Sequence, residues 1–240
     1  MIPKVIHYVW LGKGGMNTLH RRCMDSWRRI APDFEIRLWN EDNSDLDNDY
    51  CRAAIKARKW AFVSDWVRFD VLHKEGGIYL DTDLELVRPL EPLLESRHAV
   101  VGWESRSAIG TAFLLSPAKD PVMDRCRQLI LNELQPRKVF TTSPYILGQA
   151  VAEAAPGSFT LLPREVFYPF NPYERDNPQN AGQFMFDDVK PETIGIHHFQ
   201  LQASWGATQI QRAWRRALGT VNITPAWGTI FDPWGDPARR

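Results

Sequence analysis

Apolar blocks of strand length alternate along the chain with longer stretches of helical spacing. Residues 4–11, KVIHYVWL, are a β-rich apolar run stopped by Gly12, Gly14 and Gly15, which predicts a buried first strand and a loop. His20 to Ile30 has mixed helical spacing and ends before Ala31-Pro32. EIRLW, 35–39, alternates as a second strand, and the acidic stretch NEDNSDLDNDY, 40–50, reads as a loop. Residues 52–74 predict two helices with a break near Trp60, closed by Gly76-Gly77 as a C-cap pair. IYLDTDLEL, 78–86, predicts a strand running into two carboxylates. HAVVGW (98–103), TAFLLS (111–116), FTLLP (159–163) and TIGIHHF (193–199) predict further strands. Pro121 to Leu134, Pro144 to Ala155 and the basic stretch Gln209 to Leu218 predict helices. The Pro-, Asn- and Phe-rich segment between the last two strands reads as an irregular excursion. Strands alternating with helices predict an α/β sheet covered on both faces.

Composition narrows the function. The 240 residues are 44% hydrophobic and 24% charged, values of a folded globular chain. Lys+Arg and Asp+Glu are each 29, and without a basic excess nucleic acid is a poor partner. Cys23, Cys51 and Cys126 are odd in number and widely spaced, so neither a disulfide framework nor a C-x-x-C metal site is expected. With no signal-peptide pattern and no spanning apolar stretch, a cytoplasmic protein is expected. Ten tryptophans are many for a bland core, since a buried indole N–H needs a partner, and flat aromatic faces suit sugars and nucleobases.

The chemistry concentrates around Asp81-Thr82-Asp83. Two carboxylates two residues apart at a strand end suit Mg²⁺ or Mn²⁺, and open α/β sheets bind ligands at the carboxyl ends of their strands. Asp45-Leu-Asp47 and Asp47-Asn-Asp49 share the spacing but follow no apolar strand, and read as solvated loop. Upstream, Asp65 and Arg68 share a face of a helix that is otherwise apolar nearly all round. Charges on a buried helix carry a desolvation cost that implies a role.

The string Ser64-Asp65…Arg68…Gly76-Gly77-Ile78-Tyr79-Leu80-Asp81-Thr82-Asp83 resembles the signature of DXD-type sugar transferases of glycosyltransferase family 32. That family includes Och1-like mannosyltransferases and capsule-type transferases and is similar to the glucosyltransferase domain of clostridial toxins. The opening Ile2 to Gly12, the block from Cys23 to Trp39, and the late Ile196-His197-His198-Phe199 with Ser204-Trp205 resemble its other elements. The resemblance implies a GT-A-type α/β fold, a single mostly parallel sheet flanked by helices, over residues 1–240. Residues 1–116 would form the nucleotide-sugar-binding core, 117–192 an acceptor-side region, and 193–240 a closing strand, loop and basic helix. It implies metal-dependent, retaining transfer of a hexose from a nucleotide-sugar to a glycan, lipid-linked or protein acceptor. UDP-sugars are the favoured donor class and GDP-mannose the second. Carried over by position, Asp83 would ligate Mn²⁺ (or Mg²⁺) directly, and Asp81 would act through water or on the ribose and sugar. Asp65 and Arg68 would hold donor sugar hydroxyls, and Tyr79 would border the diphosphate or sugar. Trp10 would stack on the base beside Leu11, and Asn43 would contact the donor. His197 or His198 would add a metal ligand, and Ser204 and Trp205 would close over the diphosphate.

Two positions depart from the family pattern: Gly110-Thr111-Ala112 stands where relatives tend to carry Asn, and Thr142-Ser143-Pro144 where they tend to carry Thr-Gly-Pro. Both are expected on the acceptor side. Gln200 to Ala203 lengthens the loop before Ser204. The 209–218 helix could rest on an anionic membrane, placing the protein at its inner face. The rival readings are a metal-dependent nucleotide-diphosphate phosphohydrolase, which needs a base or second metal cluster, and a non-catalytic nucleotide-sugar-binding module.

Overall fold

A computed structural model describes residues 2–137, 140–171 and 189–199. Ser204, Trp205, the 209–218 helix and most of the excursion before the last strand lie outside the described residues.

In chain order the elements are β1 (Val5–Val9), α1 (Thr18–Ile30), β2 (Glu35–Trp39), α2 (Asp49–Lys56), α3 (Trp60–Glu75), β3 (Gly77–Leu80) and β4 (Leu84–Leu86). There follow β5 (Ala99–Trp103), β6 (Ile109–Ser116), α4 (Pro121–Gln128), a π-helical stretch Leu129–Leu134, and the single turn α5 (Gln135–Arg137). Then come α6 (Ser143–Glu153), β7 (Phe159–Leu162) and β8 (Gly195–His197). The main sheet has the order β2-β1-β3-β6-β5-β7, and the second pairs β4 with β8. Only β6 runs against the rest of the main sheet, being antiparallel to both β3 and β5. The mostly parallel α/β sheet is the expected one.

Each face of the sheet has its own core, because successive strand side chains point to opposite sides. On one face Ile6, Ile78, Leu80 and Phe113 pack with Met24 and Trp27 of α1 and with Leu84, Phe167 and Tyr168. On the other, Tyr79 and Leu114 pack with Val63 and Val67 of α3, Met123 of α4 and Leu147 of α6. Each fully buried Leu or Phe contributes roughly 1.5–3 kcal/mol by leaving water. α3 buries ten consecutive-region side chains from Phe62 to Leu72, Asp65, Arg68 and Asp70 among them, because α2 and α4 cover the flank the sheet leaves open. It stops at Gly76, whose φ of 69° favours glycine and whose added Cβ would stand 2.5 Å from the Ala118 nitrogen.

The expected strand over 78–86 is corrected. β3 ends at Leu80, a turn occupies residues 81–83 with Leu84 N–H donating to the Asp81 carbonyl at 2.9 Å, and β4 leaves for the second sheet. α1 holds β4 there: the Trp27 indole donates to the Leu84 carbonyl at 2.7 Å, and Leu86 N–H donates to Ser26 Oγ at 2.8 Å. The single helix expected over 121–134 ends at Gln128 and continues as the π-helical stretch.

Candidate active site

The carboxyl ends of β1, β2, β3 and β5 lie at one rim of the sheet, as their shared direction requires. The turn after β3 places Asp81 and Asp83 at that rim. The register of β4 on β8 sets Leu84 opposite His197, and one oxygen of each carboxylate and a ring nitrogen of His197 all lie within 4.8 Å of one another. His197 Nε2 stands 3.3 Å from Asp83 Oδ1. Its ring is edge-on to Tyr168 at 5.7 Å. Burial pulls the imidazole pKa down, but Asp83, Asp81 and Glu104 outweigh it and raise the value above the ordinary one. His198 points elsewhere, with Nε2 3.0 Å from Glu85 Oε2, and stays outside the group.

Arg68 links the turn to α3. One guanidinium nitrogen is 3.3 Å from Asp81 Oδ1 and donates to the Thr111 carbonyl at 2.9 Å; the other meets Asp65 Oδ1 at 2.9 Å. The guanidinium lies over the Tyr79 ring at 4.7 Å, and the Tyr79 hydroxyl donates to Asp81 Oδ1 at 2.7 Å. Tyr79 is 1% exposed and meets the rim through Asp81 and Arg68, as a brace beneath the acids. Asp65 is equally buried, and its second oxygen accepts from Ser143 N–H, at the start of α6, at 3.2 Å. Burial pushes its carboxyl up to about 6 against the pull of Arg68 and Ser143. Thr111 Oγ1 and Ser143 Oγ are 2.8 Å apart. The two stretches that depart from the family pattern therefore meet each other and hold the Asp65–Arg68 pair. At Gly110 an added Cβ would fall 2.2 Å from the Tyr168 ring, so this glycine leaves room for the ring that braces His197.

At the β1 and β2 ends, the Trp10 indole donates to the Gly14 carbonyl at 2.5 Å and its ring meets His20 edge-on at 4.9 Å. Leu11 packs against the α3-side core. Gly12 N–H donates to Glu41 Oε1 at 2.7 Å, tying the loop after β1 to the loop after β2. Asn43 uses its amide on its own turn, accepting from Asn40 N–H and donating to the Leu38 carbonyl, each at 2.8 Å. The structure thus gathers Asp65, Arg68, Tyr79, Asp81, Asp83 and His197 and leaves His198 and the Asn43 amide engaged elsewhere.

One acid escaped the sequence reading. Glu104 follows β5 as Asp81 follows β3, and it shares the face of β5 on which Gly102 meets Tyr168. It is in electrostatic reach of Asp81 and His197, and burial pushes its carboxyl up to about 7. A carboxylate directly after a buried apolar strand was the signal available in HAVVGWE.

Residues 18–99, which contain Asp65, Arg68, Asp81 and Asp83, match the family described as a glycosyltransferase sugar-binding region containing a DXD motif. Inositol phosphoceramide mannosyltransferase 3 of Schizosaccharomyces pombe is 32% identical over 101 residues, 39% of this chain and 27% of that protein. Lactosylceramide 4-alpha-galactosyltransferase of Homo sapiens is 29% identical over 143 residues, 55% of this chain and 37% of that protein. The chain thus spans well under two thirds of the length of these relatives. Among solved structures, PaToxG glycosyltransferase aligns with a TM-score of 0.55 at 18% identity over 65% of this chain and 71% of that one. GlyE of Streptococcus pneumoniae TIGR4 aligns with a TM-score of 0.54 at 15% identity over 90% and 60%. The fold of this chain is the GT-A fold.

Proposed function

We propose that the protein is a metal-dependent, retaining glycosyltransferase that moves a hexose from a nucleotide-sugar, a UDP-sugar before GDP-mannose, to a glycan, lipid-linked or protein acceptor. The observation that carries this reading is the meeting of Asp81, Asp83 and His197 at the rim, linked through Arg68 to Asp65. Two carboxylates and an imidazole are a donor set suited to Mn²⁺, and slightly less to Mg²⁺, which prefers oxygen alone. Asp83 and His197 are the ligands this reading favours, with Asp81 beside them; His198 is left out because Glu85 holds it. When bound, the cation neutralises negative charge developing on the departing nucleotide diphosphate. Arg68 fixes the Asp81 carboxylate from one side while Tyr79 donates to it from below, so the acid is oriented before the donor arrives. Asp65 aims Arg68, and through Ser143 it fixes the start of α6 as the wall of the sugar site. Trp10 and Leu11 flank the place of the base, and Ser204 and Trp205, outside the described residues, are read as the closing elements over the diphosphate.

The two curated relatives are a mannosyltransferase and a galactosyltransferase named for ceramide-based acceptors, which supports a hexose donor and a lipid-linked acceptor here. Three free, buried thiols suit a reducing, cytoplasmic setting. Among the described residues no helix is long and apolar enough to cross a membrane. The test is turnover of UDP-glucose, UDP-galactose and GDP-mannose with Mn²⁺, followed by the nucleotide released. Wild type should release UDP or GDP, EDTA should stop it, and Asp83→Ala should lower it by at least about a hundredfold. Release of UMP with hexose 1-phosphate would establish a phosphohydrolase and sink the transferase reading.

A further inference from the structure

At the same rim, beyond the acids, residues 103–106 and 163–165 enclose an open cleft of about 270 Å³ lined by Trp103, Ser105, Arg106, Pro163, Arg164 and Glu165. We propose that this cleft is the acceptor subsite and that it takes the terminal neutral hexose of the acceptor. The inference rests on the transferase reading and adds the place and chemical class of the second substrate.

Three observations carry it. The first is position: Trp103 and Ser105 flank Glu104, whose carboxyl acts on Asp81 and His197, so the cleft begins one residue, about 3.8 Å along the chain, from a side chain of the metal group's surroundings. An acceptor lying in the cleft therefore ends near the atoms where the donor sugar is held.

The second is chemistry. A pyranose offers an apolar C–H face and a ring of hydroxyls that both donate and accept. Trp103 is half-buried, its rear packed on the core, which leaves an aromatic face for the C–H side. Arg106, Arg164 and the Ser105 hydroxyl supply donors, and Glu165 supplies acceptors. Arg164 stands 3.5 Å from Glu165, which offsets one of the lining's two cations, and the acid Glu104 lies between Trp103 and Ser105 in the chain, so the balance favours a neutral sugar over a phosphate or acidic sugar.

The third is that both walls are built before any ligand arrives. Glu104 and Ser105 N–H both donate to the Ala108 carbonyl, at 2.9 and 3.2 Å, and Ser105 Oγ accepts from Ala108 N–H at 3.0 Å. Asn171 Nδ2 donates to the Glu104 carbonyl at 3.0 Å, pinning this turn to the chain beyond β7. On the opposite wall Thr193 Oγ1 donates to the Glu165 carbonyl at 2.7 Å. Preformed walls reduce the ordering cost of binding.

The test uses the full chain with Mn²⁺ and the methyl α- and β-glycosides of glucose, galactose and mannose, their binding followed by saturation-transfer NMR and titration. UDP and GDP affinities are measured on the same samples. At least one glycoside should bind wild type. Trp103→Ala should weaken it by about tenfold or more and Trp103→Phe by less, while nucleotide affinity stays within about twofold. If Trp103→Ala fails to fold, the double substitution Arg106→Ala with Arg164→Ala reads the same affinity and should also weaken it. No glycoside binding where a nucleotide does bind, or unchanged glycoside affinity in a folded variant, overturns the acceptor subsite alone. Preference for hexose 1-phosphates over every methyl glycoside also overturns it. Absence of nucleotide binding overturns the transferase reading and the subsite together.

Discussion

His197 and His198 are neighbours with opposite surroundings, and the difference decides what each can do. Alternation turns His197 toward Asp83 and Tyr168, and His198 toward Glu85. His197→Ala should therefore lower Mn²⁺ affinity by at least about tenfold, while His198→Ala should leave it within about threefold. Titration of Mn²⁺ by its paramagnetic resonance measures both, and equal losses would show the assignment wrong. Glu104 makes a second prediction. Its folded-state pKa of about 7 lies above its ordinary 4.5 because burial disfavours the charged form. The folded chain then holds the proton more tightly than the unfolded chain between about pH 4.5 and 7, and stability falls as pH rises through that window. In EDTA, Glu104→Gln should be more stable than wild type by about 1–2 kcal/mol at about pH 8, with the gap closing by about pH 5. Urea midpoints at both pH values check it; a gap independent of pH would refute the burial argument. Asp65, Arg68, Asp81 and Asp83 were readable as one string because charges on a buried helix and at a strand end are conspicuous. Glu104 was not, because it has no second carboxylate beside it in the sequence, and only the fold brings it to Asp81.

At the scale of elements, the legible parts were those whose apolar period agrees with their surroundings. EIRLW became β2 with its expected bounds, and the break near Trp60 separates α2 from α3. The turn after Leu80 was illegible because IYLDTDLEL keeps apolar residues on both sides of the acids. What divides it is tertiary: the Trp27 and Ser26 contacts carry Leu84 to Leu86 into a second sheet with β8. That division is also what brings His197 to the acids, so the Asp81–Asp83–His197 group depends on α1. Trp27→Phe keeps the ring but removes the donor, leaving the buried Leu84 carbonyl without that partner. We expect a loss of about 1–3 kcal/mol in stability and a measurable fall in Mn²⁺ affinity, from urea unfolding and metal titration. A stability loss with unchanged Mn²⁺ affinity would mean that the turn holds its own shape without α1. The tryptophans divide in the same way: Trp27, Trp39 and Trp66 spend their indole N–H on Leu84, His7 and Asp45, whereas Trp103 presents a face to the cleft.

Over the whole chain 29 acidic and 29 basic residues balance, yet the rim is not balanced. Asp65, Asp81, Asp83 and Glu104 gather there around Arg68 and His197, and carboxylates crowded at a partly buried rim favour a cation. An acidic centre would let a diphosphate bind without a basic excess in the chain, met by a cation and Arg68. The same arrangement would make metal binding a proton-linked event. His197 is held above its ordinary pKa of 6.5 by Asp83, Asp81 and Glu104, and a metal can take its nitrogen only when the proton has left. As pH rises past the raised pKa the proton departs from the metal-free protein, competition ends, and Mn²⁺ should bind more tightly. The rise in melting temperature at fixed Mn²⁺ should therefore grow between about pH 6 and 8, since stabilisation follows the ratio of free metal to its dissociation constant. In His197→Gln, which cannot hold that proton, the shift should be smaller and nearly level over the same range. Mn²⁺ with UDP should raise the melting temperature more than the sum of the two alone, because the diphosphate completes the cation's surroundings. A wild-type shift that stays level with pH, or one that grows equally in His197→Gln, would remove His197 from the metal group and leave the cation to the two aspartates.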